Sequence, residues 1–150
     1  KIKKIVNNKV KLIINDFPEI AAKLNCDGCH IGQKDLSIQQ TKQIMKSNKI
    51  IGVTCHNSKE LALSAEKYGA SYLAFGSFFK TKTKKTKFKA GPKLLRWAHK
   101  NLKTPVVAIG GINEENYKLL LQNGAKYIAC SSYIWRNSKY NPLKALNQLK

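Results

Sequence analysis

Acidic residues are scarce in this chain of 150 residues: 8 Asp and Glu stand against 28 Lys and Arg, a formal charge of +20. Arginine is scarcer still, with only Arg96 and Arg136. Nucleic-acid interfaces usually favour arginine, whose planar fork pairs bidentately with base edges and phosphates. A surplus built from lysine therefore reads first as a solvated face, and second as an affinity for partners that carry phosphate. No apolar run approaches the roughly 20 residues of a membrane-spanning helix, which excludes a transmembrane reading. The basic start, Lys1-Ile-Lys-Lys-Ile-Val, leads into no apolar segment with a small-residue cleavage site. No secretory signal is read there, and the expected compartment is the cytoplasm. At 43% hydrophobic the chain is too apolar for a disordered basic tail, so a packed core is expected.

Cysteines number four, at 26, 29, 55 and 130, and methionine one. Cys26-Asp-Gly-Cys29-His30 has the C-x-x-C-H form of a c-type haem attachment site. That chemistry needs export and a second axial ligand, for which the isolated Met45 is a poor candidate. Half a zinc knuckle is present too, but no second Cys/His pair follows at a suitable spacing. The thiols are expected instead at the start of a buried strand, reduced and acting as small apolar groups.

Short apolar clusters alternate with helical patterns along the chain. The clusters predict strands covered on both faces at 10–15, 28–31, 50–54, 72–76, 106–110 and 127–131. Helical spacing marks 37–47, 58–68, 92–102 and 114–122, opened by Ser or Asn and in two cases closed by Gly. Tyr68-Gly-Ala-Ser-Tyr-Leu-Ala74 is echoed by Asn123-Gly-Ala-Lys-Tyr-Ile-Ala129, each a helix end feeding a strand. A repeated βα unit points to an α/β fold of the TIM (β/α)8 barrel type over a flavodoxin-like sheet. In a barrel the strand ends share one mouth, and the chemistry here gathers at strand ends.

Asp16 and Asp35 end consecutive strands and could supply two hard oxygen ligands for Mg²⁺. Equally, Asp16 could cap the next turn and Asp35 could open the next helix. The 80–89 segment, Lys-Thr-Lys-Thr-Lys-Lys-Thr-Lys-Phe-Lys, sets hydroxyls beside ammonium groups. It suits diphosphate oxygens or else is simply solvated. Gly110-Gly111, leading to a helix opened by Asn113, and Ser131-Ser132 at the next strand end suit a phosphate bound by backbone N–H groups. His30 and His56 lie at strand ends, but neither has a Ser or Asp partner at triad-like positions, so His30 is assigned a structural hydrogen-bonded role.

The motifs Ile13-Ile-Asn15-Asp16, Asp27-Gly-Cys-His-Ile-Gly-Gln-Lys-Asp35, Gly52-Val-Thr-Cys-His56, Gly76-Ser-Phe-Phe-Lys-Thr-Lys-Thr-Lys84, Ala108-Ile-Gly-Gly-Ile112 and Ser131-Ser132 stand in an order and spacing that resemble the thiamine phosphate synthase family. The resemblance covers nearly the whole chain. It implies a TIM barrel that joins a hydroxymethylpyrimidine diphosphate to a thiazole phosphate, releasing diphosphate. By the same resemblance Asp16 and Asp35 would hold Mg²⁺, and Asn15, Thr54 and Lys84 would contact the pyrimidine substrate, Thr54 and Lys84 as the catalytic pair. Thr81, Lys82 and Thr83 would meet the thiazole, whose phosphate would rest on Gly111, Ser131 and Ser132.

The family also has a Gln-x-Arg-x-Lys motif on a strand before the Asn-Asp strand, and this chain begins after it, with Lys1 rather than Met. Residues 1–150 are accordingly expected to be a single partial barrel domain of about six βα units, truncated at its N-terminus. The sister branch, the thiazole tautomerase, is the alternative enzyme; it lacks the Thr-x-Thr-Lys loop found here at 81–84. A basic nucleic-acid-binding module is the alternative from another class, though Phe88 is the sole aromatic in the lysine run and no specific nucleic acid is expected. Neither a membrane partner nor a signal for one is read, and a homo-oligomer is compatible with the sequence.

Overall fold

The computed structural model describes residues 2–6, 9–46, 48–81 and 86–150. Its six strands follow sequence order in one sheet, β1 (Ile13–Asn15), β2 (Gly28–Ile31), β3 (Ile50–His56), β4 (Tyr72–Gly76), β5 (Val106–Ile109) and β6 (Tyr127–Ala129). Contacts divide the chain into two compact units. One holds the residues up to Cys55 together with Glu60–Leu73, and the other holds His56–Lys59 with Ala74–Lys150.

In the first unit β1, β2 and β3 pair in parallel, with Asn15 opposite His30 and His30 opposite Gly52. Helix α1 (Ile2–Val6) precedes β1, and α2 (Pro18–Lys23), α3 (Ile38–Met45) and α4 (Lys59–Lys67) follow the first three strands in turn. The start of α3 was legible in sequence: Ser37 accepts from the Gln40 N–H at 3.2 Å, and Gln40 Oε1 accepts from the Ser37 N–H at 2.9 Å. This reciprocal box satisfies two donors that the first helical turn would leave orphaned. Ile38, Thr41 and Met45 make the buried face of α3 at helical spacing.

The second unit contains the parallel pair β5–β6, with Val107 opposite Tyr127 and Ile109 opposite Ala129. It also contains α5 (Pro92–Asn101), α6 (Tyr117–Gln122), α7 (Ser132–Trp135) and α8 (Pro142–Asn147). Gly91 and Pro92 open α5, where a missing N–H costs nothing, and Leu94, Leu95 and Ala98 are its buried side. Phe75, Leu95 and Leu120 are fully buried, each side chain contributing about 1.5–3 kcal/mol by leaving water. The two copies of the repeat end alike, with Gly69 and Gly124 at φ 78° and 107°.

Four expectations are corrected. The first strand begins at Ile13, not at residue 10, and Val10 is exposed. The last strand ends at Ala129, two residues early, because Ser131 begins the α7 turn by accepting from the Ile134 and Trp135 N–H groups. Neither β5 nor β6 is covered on both faces: Ile109 is 44% and Tyr127 54% exposed. Finally, α6 starts at Tyr117 instead of residue 114. Asn113 Oδ1 takes the Glu115 N–H at 3.1 Å and Asn116 Oδ1 takes the Asn113 N–H at 3.0 Å. These side chains offer the backbone a turn that competes with helix. Among the described residues no helix is long and apolar enough to cross a membrane.

Candidate active site

Asp16 directly follows β1. Its N–H donates to the His30 carbonyl at 2.8 Å, continuing the β1–β2 pairing, while its φ of 66° turns the chain sharply out of the strand. Aspartate is among the few non-glycine residues that tolerate this region, and such backbone outliers gather at functional sites. Phe17, not Asp16, occupies the cap position of α2. Asp35 does not open α3 either, since Ser37 does. Instead Asp35 Oδ2 accepts the Gly32 N–H at 2.7 Å, closing the turn after β2 and leaving Oδ1.

Both carboxylates act on one neighbour. The Cys29 thiol, in the middle of β2, is pushed up to about 11 by burial first, then by the negative charges of Asp16, Asp35 and Glu19. Asp16 is bonded to β2 through the His30 carbonyl, and Asp35 closes the turn that follows β2 at Gly32. Two hard oxygen donors fit Mg²⁺, which binds through one or two carboxylates and keeps water or phosphate oxygens for its remaining positions. The cysteines are buried or half-buried free thiols: burial raises Cys55 to about 12 and Cys130 to about 11. Cys26 and Cys29 lie in the core, 1% and 0% exposed, where they pack as small apolar groups.

Thr54, in β3, is half-buried. Its Oγ1 lies 2.8 Å from His30 Nε2, and His30 Nδ1 lies 2.9 Å from the Tyr72 hydroxyl. The Thr54 carbonyl accepts from the Gln33 amide. His30 thus has two side-chain partners, neither of them Ser or Asp, in keeping with the hydrogen-bonded role expected of it. Tyr72 comes from 42 residues away, beyond the reach of any spacing rule. Burial lowers the His30 pKa, and Asp35 opposes the shift. A histidine whose folded pKa is lowered favours unfolding as soon as the unfolded chain binds the proton. Stability is therefore expected to fall as pH drops below the ordinary histidine value toward the lowered folded one. Denaturant midpoints between pH 8 and pH 5 check this, and His30→Gln should flatten the slope.

In the second unit, Gly110 and Gly111 follow β5 at φ 104° and 65°. A Cβ on Gly111 would collide with the Lys80 carbonyl and come within 2.9 Å of Phe79 Cβ, so glycine lets two loops meet backbone to backbone. Phe78 and Phe79 donate to the carbonyls of Ile109 and Gly110 at 3.2 and 3.0 Å. The far end of the Thr/Lys loop is anchored as well. Phe88 stacks on His56 at 4.0 Å between centroids, and Asn57 Nδ2 donates to the Lys89 carbonyl at 3.1 Å. Thr81 is half-buried beside this junction, while Lys82, Thr83 and Lys84 lie outside the described residues. Gly111 and Ser132 are partly accessible, Ser131 is exposed, and so is Asn15 at the end of β1 in the first unit.

Parallel βα units whose carboxylates, hydroxyls and glycine turns stand at strand ends define a class: α/β enzymes of the TIM-barrel type that act on small molecules. Within it, the family profile described as "Thiamine monophosphate synthase" matches residues 1–134. The thiamine-phosphate synthase of Pelagibacter ubique is 56% identical over 100% of this chain and 72% of its own length. That of Rhodospirillum centenum is 43% identical over 85% of this chain and 62% of its own. Among solved structures, the thiamine phosphate pyrophosphorylase from Pyrococcus furiosus superposes with a TM-score of 0.87 at 33% identity, over 98% of this chain and 69% of that one. The chain belongs to the thiamine monophosphate synthase family. The family's function is thiamine-phosphate synthesis, a transferase reaction of thiamine biosynthesis.

Proposed function

We propose that this chain carries the part of a thiamine-phosphate synthase that couples a pyrimidine methyl diphosphate to a thiazole phosphate, giving thiamine phosphate and diphosphate. The observation that carries this reading is that Asp16 and Asp35 flank β2, Asp16 tied through its N–H to the His30 carbonyl and Asp35 closing the turn at Gly32, with both charges reaching Cys29. Breaking the carbon–oxygen bond to diphosphate leaves a cationic methylene on the pyrimidine, and the thiazole nitrogen forms the new carbon–nitrogen bond. No proton moves in that step, so the site needs charge stabilisation and alignment, not a general base. A bound Mg²⁺ would offset the charge of the departing diphosphate. Asp16 and Asp35 would hold it, with Lys84 alongside the leaving group.

Asn15 and Thr54 orient the pyrimidine in this reading. Thr81, Lys82 and Thr83 meet the thiazole, whose phosphate rests on Gly111, Ser131 and Ser132. Residues 1–150 act as one domain in the cytoplasm. The nucleic-acid alternative loses support because Phe88, the aromatic of the lysine run, already stacks on His56. The test incubates the protein with both substrates and Mg²⁺ and measures diphosphate. Stoichiometric release with thiamine phosphate is expected, abolished by a chelator. Isomerisation of the thiazole without diphosphate release would overturn the reading in favour of a tautomerase.

A further inference from the structure

The first unit contains a hydrogen-bonded chain that crosses three strands, Tyr72 on β4, His30 on β2 and Thr54 on β3. It has been given room. His30 stands opposite Gly52 in the β2–β3 register, and a Cβ on Gly52 would fall inside the Tyr72 ring, meeting its Cζ, hydroxyl and Cε1. Only a residue without a side chain lets the phenol lie across β3 to reach a histidine on β2. The two rings are nearly parallel, 18° apart with centroids 5.5 Å from one another, so the imidazole is held by stacking as well as by both nitrogens.

The imidazole tautomer sets the direction of this chain. A phenol raised to about 12 by burial keeps its proton at neutral pH, and the hydrogen bond found for it is to His30 Nδ1. A half-buried phenol can donate its hydrogen to an acceptor within reach. When the phenol donates, Nδ1 accepts and the neutral imidazole carries its own proton on Nε2, which faces Thr54 Oγ1 at 2.8 Å. With its oxygen accepting from His30, the Thr54 hydroxyl has its hydrogen left to give. The Thr54 backbone is steadied independently, through the Gln33 amide on its carbonyl.

We propose that Tyr72 is a positioning residue: through His30 it fixes the Nε2–H tautomer and so presents the Thr54 hydroxyl as a hydrogen-bond donor to an acceptor atom of the pyrimidine substrate. The assignment rests on the reading of Thr54 as a substrate contact. A phenol three hydrogen bonds removed from the ligand then controls how that ligand is bound, while Gly52 sets the space it needs. The role differs from structural packing in that removing one oxygen atom, with the ring kept, alters the protonation site of a different residue.

The experiment compares the wild-type chain with Tyr72→Phe, Thr54→Ala and the double variant, with thermal midpoints to confirm folding. Two readouts are taken: the ¹⁵N shifts of the His30 ring at pH 8, and KM for the pyrimidine diphosphate. A single Nε2–H tautomer is expected in the wild type and a shift toward Nδ1–H in Tyr72→Phe. KM should rise about three- to tenfold in Tyr72→Phe. The double variant should be no worse than Thr54→Ala, because the phenol acts only through that hydroxyl. Thr54→Ser, which keeps the hydroxyl, should keep the dependence on Tyr72. An unchanged tautomer in Tyr72→Phe, or losses that multiply in the double variant, would overturn the proposal. If the wild-type chain released no diphosphate, the synthase reading would fail, and the tautomer measurement would still decide the relay.

Discussion

Asp35→Asn is expected to lower turnover by about a hundredfold or more, the scale on which loss of one charge-stabilising group acts in a transition state. The thiazole KM should stay within about twofold, because the lost interaction belongs to the leaving diphosphate and not to the nucleophile. The asparagine is close to a pure charge deletion. Its amide oxygen can accept the Gly32 N–H that Asp35 Oδ2 takes at 2.7 Å, so the turn after β2 keeps its closure and the thermal midpoint should hardly move. What disappears is the negative charge that, with Asp16, bears on Cys29. Steady-state kinetics at saturating Mg²⁺, beside a thermal melt, separate the two effects. Unchanged turnover would remove Asp35 from the chemistry, and a collapsed midpoint would show that its role is chiefly to hold the turn.

Gly111→Ala should act differently, on architecture first. Alanine must adopt φ 65° and its methyl must displace the Lys80 carbonyl and Phe79, so the strain of a left-handed residue adds to overpacking. Together these cost about 2–5 kcal/mol. For a chain of this size that loss lowers the melting midpoint by about 5–15 °C. Because the same contact joins the Gly110-Gly111 turn to the base of the Thr/Lys loop, the thiazole phosphate KM should rise more than the pyrimidine KM. A melt and two substrate titrations decide it. A midpoint shifted by less than about 1 °C would show that the junction can relax around a methyl group.

The parts of the fold that were legible in sequence are those written in local chemistry. Strands β2 and β4 match their expected bounds, 28–31 and 72–76, because glycine marks an end of each and apolar residues fill them. Helix α3 begins where Ser37 and Gln40 make their box, and the left-handed glycines 69 and 124 close their helices. The short helices α2, α7 and α8, of six, four and six residues, carry too few turns for a period to register. The site follows the same division. Asp16, Asp35 and Thr54 could be found because each stands at or near the end of an expected strand, although β3 in fact runs on two residues past Thr54, to His56. Tyr72 could not be found. Its link to His30 depends on an empty volume above Gly52, and nothing in a linear string says which glycine leaves space for which ring.

That empty volume has a consequence for how such a chain can change over generations. Positions 52 and 72 share a single space, so neither is free to drift by itself. A methyl acquired at 52 evicts the phenol, and a smaller residue acquired at 72 leaves a void beside an unpaired histidine nitrogen. The route between the present pair and any other runs through an intermediate worse than both ends. A lineage that keeps the tyrosine is thereby bound to keep the glycine, and the absence of a side chain becomes an inherited trait in its own right.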